Sequence, residues 1–543
     1  MNERNVRLLV VGGIVLVIAV IVVGGWVMFG RSPSQSGDLY ADPQGRFTMQ
    51  VDPSWEQVDT GGRYTQFKVP DPPQNMYLLV LEASTVDEAF SQAFDTLGFD
   101  PGLLKGGGVA SVGDWQLYTQ TDAAELTYGL AGQIVGDNAY VLVVKADKPG
   151  VEADNAAAMR VVTSLKIAGK GESDQNAIQS YADLEAMVQK QVDSLAGSAS
   201  IAVVHQGEIV YTYVYGQANP VAGIPADTRT IYRYGSMTKP FTATALMQLV
   251  EQGLVDLDAW PGEYIPDFPG GWKVTVRQLL DHSACMPDEE SLVDGLIARR
   301  GESFPPLEEI FTTYLKSDPE LACEPGKYSN YANSHYLALA RIIEEISGED
   351  FETYVVDHIL TPLGMDSTHF QFVEPAERYA KGQWPADATD ELVTQINEYR
   401  GAGNEIDLIL QKGETFSTID DFRPLAPWGG MLGTPSDLTH FLRMHLNGGR
   451  YGDIQILKPE TVAAMQEMQT STDGSPLGFG LSWFIGEDEF GRVYYHAGGG
   501  ATIETTMLSY PDLDLGVVVM CNVNGCQADR IAHGLVSAWM HEK

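Results

Sequence analysis

The sequence predicts an α+β protein in two folded parts behind an apolar N-terminal segment, and three observations predict it. Strand-like runs interleave with two helical patterns between about Tyr40 and Ile167. Further strand-like runs stand at both ends of residues 176–543, with a helix-rich stretch from Leu254 to Glu489 between them. Residues Leu8 to Phe29 are apolar and uncharged throughout, long enough for one membrane-spanning helix. With 543 residues, 44% apolar and 20% charged, the chain has the composition of an ordinary globular protein and the length for more than one core.

Arg4 and Arg7 precede the apolar run, so the positive-inside rule keeps the N-terminus cytoplasmic and places the bulk of the chain outside. The run exceeds the ~7–15 residue core of a cleavable signal, and Gly30-Arg31-Ser32-Pro33 offers no small-x-small cleavage site. Residues 1–38 therefore read as a stub, an uncleaved anchor in the lipid bilayer and a Ser/Pro/Gly spacer; a cleaved signal is the alternative. Within 39–167, strands are expected at Arg46–Val51, Tyr64–Val69, Met76–Leu81, Gln116–Gln120, Glu125–Ile134 and Ala139–Val144, and helices at Val86–Leu97 and Ala153–Leu165. This is a small α+β domain, and its Gly45 to Trp55 stretch is faintly similar to extracytoplasmic domains of the photosystem oxygen-evolving-protein type. Gly106-Gly107-Gly108 lacks the framing strand and helix of a phosphate cradle. A spacer or binding module without chemistry of its own is expected. Residues 168–175, rich in Gly and charge, form a linker. An amphipathic helix follows over Ala177–Leu195, with Ile178, Leu184, Met187, Val188 and Val192 on one side. Strands are expected at Gly491–His496, Thr505–Ser509 and Gly516–Met520, before a closing helix over Ala528–Met540.

The 73 acidic against 34 basic residues leave a formal charge of −39, which repels phosphate backbones and excludes a nucleic-acid function. Cys285, Cys323, Cys521 and Cys526 fit an oxidising compartment. Of three possible pairings, Cys285 with Cys323 and Cys521 with Cys526 are favoured because each pair brackets one local segment. They lack the twin C-x₂₋₄-C spacing of a zinc site, and neither a metal nor a cofactor motif is present.

The chemistry centres on Tyr234-Gly235-Ser236-Met237-Thr238-Lys239, which runs into a helical pattern of Ala243, Leu246, Met247, Leu249 and Val250. A hydroxyl and an ammonium three residues apart on a helix can touch, and the helix N-terminus adds donors for a developing oxyanion. Tyr331-Ala332-Asn333 stands before a second helix pattern whose apolar face is Tyr336, Leu339, Ala340, Ile343 and Ile346, and Asn333 can cap it. His496-Ala497-Gly498-Gly499 ends a strand-like run.

In order and spacing these motifs resemble the serine β-lactamase and penicillin-binding-protein superfamily, in particular its class C β-lactamase-like esterases and peptidases. The resemblance covers roughly residues 176–543. It includes Ala199 to Val204 with Gly216, Thr275-Val276-Arg277-Gln278-Leu279-Leu280-Asp281-His282-Ser283, Pro362-Leu363-Gly364-Met365, Gly429-Gly430-Met431 with Thr434 and Asp437, and Gly478 to Leu481 with Trp483. It implies an antiparallel sheet flanked by helices and a helical half, with the opening hairpin and the C-terminal strands in one sheet. It implies Ser236 as nucleophile, activated by Lys239 and Tyr331, with Asn333 beside them. A nearby cation favours the phenolate, and either Lys239 or Tyr331 can take the proton. The oxyanion would meet the N–H groups of Ser236 and Gly499, and Gly498 and Gly499 would let substrate lie along the strand edge. Tyr328-Ser329-Asn330 is a rival Tyr-x-Asn, but only Tyr331 has the family's spacing from Pro325-Gly326 and a helix directly after it. His496 stands where β-lactamases proper carry lysine, which offers less attraction to a carboxylate and favours ester or amide hydrolysis. The expected function is thus an anchored, extracytoplasmic serine hydrolase acting on an ester or a D-amino-acid-type peptide or amide. The alternatives are a β-lactamase or D-Ala-D-Ala carboxypeptidase, and a non-hydrolytic sensor on the same fold. His282 is expected to be a structural loop histidine, His440 and His445 a solvated pair, and Phe370 to Pro427 a variable, substrate-shaping region.

Overall fold

The computed structural model describes residues 38–99, 110–146, 165–167, 178–287, 306–371, 375–381 and 426–543, apart from short loop positions within those ranges, Tyr328 among them. The Leu8–Phe29 run, the 168–175 linker, Gly106–Gly108, all but the last residue of the helix expected over 153–165 and most of 370–427 lie outside the described residues. Among the described residues no helix is long and apolar enough to cross a membrane. The chain divides into two compact units, Met1–Ala177 and Ile178–Lys543.

In the first unit, β1 (Asp38–Ala41), β2 (Phe47–Val51) and β10 (Lys166–Ile167) form one sheet in the order β1-β2-β10. The second sheet comprises β3 (Glu56–Val58), β4 (Thr65–Pro70), β5 (Pro73–Glu82), β6 (Ala110–Val112), β7 (Trp115–Thr121), β8 (Thr127–Val135) and β9 (Asn138–Ala146) in the antiparallel order β3-β4-β5-β9-β8-β7-β6. Alternation splits its side chains between two cores. Met76, Leu78, Tyr140, Leu142 and Val144 meet Phe47 and Met49 of β2. Leu79, Val141 and Val143 meet Ala89, Phe90, Ala93 and Phe94 of α1 (Val86–Leu97). The six expected strands are present within a few residues of their limits; the unexpected β1, β3, β6 and β10 are two to four residues long and too short to show a period.

The second unit opens with α2 (Tyr181–Leu195), which starts at Tyr181 because the Ser180 hydroxyl accepts the Asp183 N–H at 3.2 Å. Its sheet contains β11 (Ser198–His205), β12 (Glu208–Asn219), β13 (Ile224–Pro225), β18 (Phe484–Asp488), β19 (Gly491–Gly500), β20 (Ile503–Tyr510) and β21 (Leu515–Cys521). The order is β13-β12-β11-β21-β20-β19-β18, antiparallel throughout. The N-terminal hairpin and the C-terminal strands thus share one sheet, as the resemblance implies, with Ala199 opposite Cys521. The closing helix α10 (Ala528–Glu542) packs on the sheet together with α2.

Two short antiparallel pairs, β14 (Tyr232–Arg233) with β15 (Leu432–Gly433) and β16 (Arg450–Tyr451) with β17 (Ile454–Gln455), complete the strands of this unit. That half holds α3 (Lys239–Glu251), α4 (Val276–Leu280), α5 (Leu307–Lys316), α6 (Asn333–Ser347), α7 (Phe351–Val355), α8 (Pro435–Leu446) and α9 (Pro459–Met465). Helix α6 is buried on every side from Ser334 to Ile343, a central helix rather than an amphipathic one. Disulfides join Cys285 to Cys323 and Cys521 to Cys526.

His440 and His445, expected to be a solvated pair, are not solvated. His440 is partly buried with Nδ1 2.9 Å from the Leu363 carbonyl, and His445 is 3% exposed, ring against Phe441 and Trp483. Spacing argued only against a metal pair; Leu438, Phe441, Leu442 and His445 stand at i, i+3, i+4 and i+7, the core face of α8. Neither His445 ring nitrogen has a hydrogen-bond partner among the described residues, and burial pushes its pKa down to about 3. An unfolded imidazole takes a proton below pH ~6.5, whereas the buried one stays neutral down to about pH 3, so acid favours the unfolded chain. His445→Leu is therefore expected to add about 1 kcal/mol at pH 7 by removing a buried, unpaired polar ring. That advantage should grow by about 1.4 kcal/mol per pH unit below 6.5. Denaturant melts of both proteins at pH 7 and pH 5 check it; an equal or smaller gain at pH 5 would contradict the argument.

Candidate active site

Ser236 lies in a single 3₁₀ turn, Gly235–Thr238, and Lys239 is the first residue of α3. In a 3₁₀ turn positions i and i+3 eclipse, so the two side chains meet and Lys239 Nζ donates to Ser236 Oγ at 3.0 Å. The turn's entry needs glycine: Gly235 has φ +55°, and a Cβ there would stand 3.2 Å from Gly498 Cα.

Lys239 is fully buried, a position an ammonium tolerates only when its protons are taken. Nζ also donates to Asn333 Oδ1 at 2.8 Å and to the Trp428 carbonyl at 3.1 Å, so three N–H bonds have three acceptors. It stands 4.7 Å from the centroid of the Tyr331 ring, within cation–π range. Asn333 does not cap α6. The N-cap is Ala332, with no side-chain cap bond, and the Asn333 amide is turned to the lysine.

Tyr331, 8% exposed, sits in the loop before α6, and its ring lies 6.4 Å from that of His496 and 4.1 Å from that of His282. Strand β19 delivers His496. Its pairing with β18 ends at Phe484 opposite Tyr495, while its ladder with β20 continues from His496 opposite Met507 to Gly500 opposite Ile503. His496 is fully buried, with Nδ1 2.8 Å from the Ala497 carbonyl, so Nδ1 carries the proton of the neutral ring. Burial, and then the Lys239 charge, hold its pKa down at about 3, so the ring is neutral at neutral pH.

Gly498 is the contact between strand and serine turn. A Cβ on it would stand 2.1 Å from the Tyr234 carbonyl, 2.4 Å from Thr505 Oγ1 and 3.1 Å from the Ser236 nitrogen. Protein already fills the space on that side, so the absent side chain at Gly498 permits the close approach of β19 to the serine turn. Thr505 Oγ1, 2.9 Å from the Tyr234 carbonyl and 3.2 Å from that of Gly498, ties the two segments together. Gly498→Ala has no side chain to displace at the Tyr234 carbonyl. It is expected to shift β19, costing about 2 kcal/mol of stability and about 10² in acylation rate. Labelling kinetics with a fluorophosphonate check this, and a rate within threefold of wild type would refute it.

The structure thus brings Ser236, Lys239, Tyr331, Asn333, His496 and Gly498 to one place. Tyr328 lies outside the described residues. Sequence reasoning missed the Trp428 carbonyl, which no side chain announces; the adjacent Gly429-Gly430-Met431 landmark was the available signal. It also missed the scaffold behind Tyr234. The phenol is 2.9 Å from Thr368 Oγ1, and Thr368 donates to Asp437, which also accepts from Ser367 N–H and Thr434. Burial raises the Asp437 pKa against these bonds, which lower it. His282, predicted to be structural, is fully buried and hydrogen-bonded in the loop after α4. Among the described residues no cluster of His, Cys, Asp and Glu could hold a metal ion.

An antiparallel sheet against a helical half, with a Ser-x-x-Lys turn, a Tyr-x-Asn helix entry and a His-x-Gly strand at one point, defines a β-lactamase-like or penicillin-binding-protein-like fold. The comparisons with known proteins agree. The family model for Beta-lactamase matches residues 184–536, and the chain belongs to that family of serine hydrolases. The chain is 24% identical over 354 residues to Protein flp of Staphylococcus aureus (strain MW2), covering 64% of this chain and 63% of that protein. It is 26% identical over 329 residues to a putative D-alanyl-D-alanine carboxypeptidase of Escherichia coli (strain K12), covering 56% and 71%. It therefore spans less than two thirds of the length of the first of these relatives. Among solved structures, an octameric penicillin-binding protein homologue from Pyrococcus abyssi superposes with a TM-score of 0.52 at 25% identity, over 66% of this chain and 77% of that one. The D-amino acid amidase of Ochrobactrum anthropi SV3 has the same fold, with a TM-score of 0.52 at 23% identity over 68% and 100%.

Proposed function

We propose that this chain is a membrane-anchored, extracytoplasmic serine hydrolase that forms an acyl-enzyme at Ser236 and cleaves an ester or a D-amino-acid-type peptide or amide. The observation that carries the reading is the buried Lys239 ammonium, shared between Ser236 Oγ at 3.0 Å and Asn333 Oδ1 at 2.8 Å beside the Tyr331 ring. With three acceptors around Nζ, the lysine's role is charge, and Tyr331 is the proton acceptor. Tyr331 takes the Ser236 proton as Oγ bonds to the substrate carbonyl carbon, and the C=O π pair moves to oxygen, facing the N–H groups of Ser236 and Gly499. Collapse breaks the bond to the alcohol or amine, which leaves with the proton from Tyr331. Tyr331 then deprotonates a water as the water oxygen bonds to the acyl carbon; collapse breaks the bond to Ser236 Oγ, Tyr331 returns the proton to Oγ, and the acid leaves.

His496, neutral and buried, supplies no charge for a substrate carboxylate, which favours neutral esters and amides over penicillins and D-Ala-D-Ala termini. The names of two relatives, a D-amino acid amidase and a putative D-alanyl-D-alanine carboxypeptidase, support a D-amino-acid substrate class. The anchor rests on Leu8–Phe29 behind Arg4 and Arg7, and two disulfides suit an oxidising compartment. Recovery of the full chain in the soluble fraction after alkaline washing of membranes would refute the anchor.

The test of activity is the mass of the full chain after incubation with a fluorophosphonate and, separately, with a penicillin, followed by mapping of the labelled peptide. An adduct on the Ser236 peptide with the fluorophosphonate alone supports the proposal. A stable penicillin adduct replaces it with the β-lactamase or carboxypeptidase reading, and no adduct with either replaces it with a non-hydrolytic sensor.

A further inference from the structure

Beneath the Tyr331 ring, two buried histidines face each other, and we infer that one of them, His282, is the positioning residue of Tyr331. The inference rests on the reading of Tyr331 as the base. His335 Nε2 accepts the Met286 backbone N–H at 3.1 Å, and a backbone N–H can only donate. The proton of a neutral His335 is therefore on Nδ1. That Nδ1–H faces His282 Nδ1 at 3.1 Å, and the Ala332 backbone N–H approaches the same nitrogen at 3.3 Å. His282 Nδ1 is thus a bare acceptor with two donors on it, and the ring carries its proton on Nε2. No other arrangement of neutral rings meets all three contacts, and a further proton on either ring sets N–H against N–H.

The purpose of this fixed arrangement is visible in what His282 holds. Its carbonyl accepts the Asn330 N–H at 2.6 Å, its Nδ1 accepts the Ala332 N–H, and its ring stacks on Tyr331 with centroids 4.1 Å apart and planes 26° apart. One residue therefore grips the amide on either side of Tyr331 and the phenol ring itself. Packing alone does not account for an imidazole here. Its Nε2–H is buried without a hydrogen-bond partner among the described residues, a cost that an apolar ring of the same shape would avoid. Its φ of +61° lies in the left-handed region, disfavoured for a residue with a Cβ. What an apolar ring could not supply is the acceptor at Nδ1.

The titratable groups around His282 are Lys239, Tyr331, His335, Tyr336 and His496. The neighbouring Asp281 carboxylate is taken up by the Ser283 N–H and hydroxyl at 2.9 Å and 2.6 Å. Burial above all, then His335, then the Lys239 cation and last His496, disfavour charge on His282. The pair therefore stays in the neutral arrangement that the grip on Tyr331 requires.

The test compares His282→Asn and His282→Phe in the full chain. Asparagine keeps an acceptor at the δ position and tolerates a left-handed backbone; phenylalanine keeps the stacked ring and loses the acceptor. Fluorophosphonate labelling of Ser236 and turnover of a p-nitrophenyl ester are measured, with near-UV circular dichroism to count folded protein. Per folded molecule, His282→Phe is expected to lose about 10² in labelling rate and kcat with KM within about threefold, because the base is misplaced while substrate binding is not. His282→Asn is expected to stay within about fivefold of wild type. Wild-type rates in the Phe variant, or equal losses in both, overturn the inference. Should the Phe variant not fold, His335→Phe removes the Nδ1–H donor and is expected to slow labelling about tenfold; an unchanged rate there overturns the inference equally. A wild-type protein that the fluorophosphonate does not label refutes the hydrolase reading, and this inference with it. A labelled wild type with indifferent His282 and His335 variants refutes the inference alone.

Discussion

Lys239→Met is expected to slow acylation of Ser236 by about 10⁴, combining the loss of an electrostatic stabiliser with the loss of a group that tunes the base. The side chain is of similar length, so the cavity stays filled, but the ammonium that touches Ser236 Oγ, Asn333 Oδ1 and the Trp428 carbonyl is gone. Two opposing terms act on stability. The Asn333 and Trp428 oxygens lose a donor, at about 1–3 kcal/mol each, while removal of a fully buried charge relieves a desolvation penalty of several kcal/mol. The net change should be small beside the kinetic one, which separates the two roles of the residue. Fluorophosphonate labelling rates and a thermal melt on the same preparation measure both. A variant that melts as wild type does and labels within tenfold of it would show that the lysine is not part of the chemistry.

The parts of this site legible in the sequence are those set by local geometry. A Ser-x-x-Lys spacing ahead of an apolar helix places two side chains together whatever the rest of the chain does, and a 3₁₀ turn only makes the overlap closer. His496 was legible because a strand-like run ends in His496-Ala497-Gly498-Gly499, at the place that the resemblance marks. What stayed hidden is what the tertiary fold brings together. The His282–His335 contact joins residues 53 positions apart, a separation that no local spacing announces. Lys239's third acceptor is a backbone carbonyl 189 positions away. The α6 periodicity indicated one apolar face, yet the helix is buried all round from Ser334 to Ile343, because neighbours on every side cover positions that intrinsic pattern marks as polar. Residue type makes Asn333 a possible cap as well as a site residue, but its amide oxygen is engaged by the buried Lys239 cation, a stronger bond than one from a backbone N–H.

Tyr331→Phe is expected to slow acylation and deacylation by about 10²–10⁴ each, the range for removal of a positioned general base, with little change in the melting temperature. The ring that stacks on His282 at 4.1 Å and lies 4.7 Å from Lys239 Nζ remains; only the phenolic oxygen is lost. Pre-steady-state turnover of a p-nitrophenyl ester resolves the two steps, since a slowed deacylation lengthens the phase after the burst. An acylation rate within about threefold of wild type would transfer the role of base to Lys239. The double variant, Lys239→Met with Tyr331→Phe, decides how the pair divides the work. Groups that act as one unit give grossly non-additive losses. If the lysine's charge acts by making the phenol a better base, then without the phenol the charge has less to act upon. The double variant should then be little slower than the slower single one. If the two losses multiply instead, Lys239 stabilises the serine oxygen directly and independently of Tyr331, and the proton path proposed through the phenol accounts for only its own share of the rate.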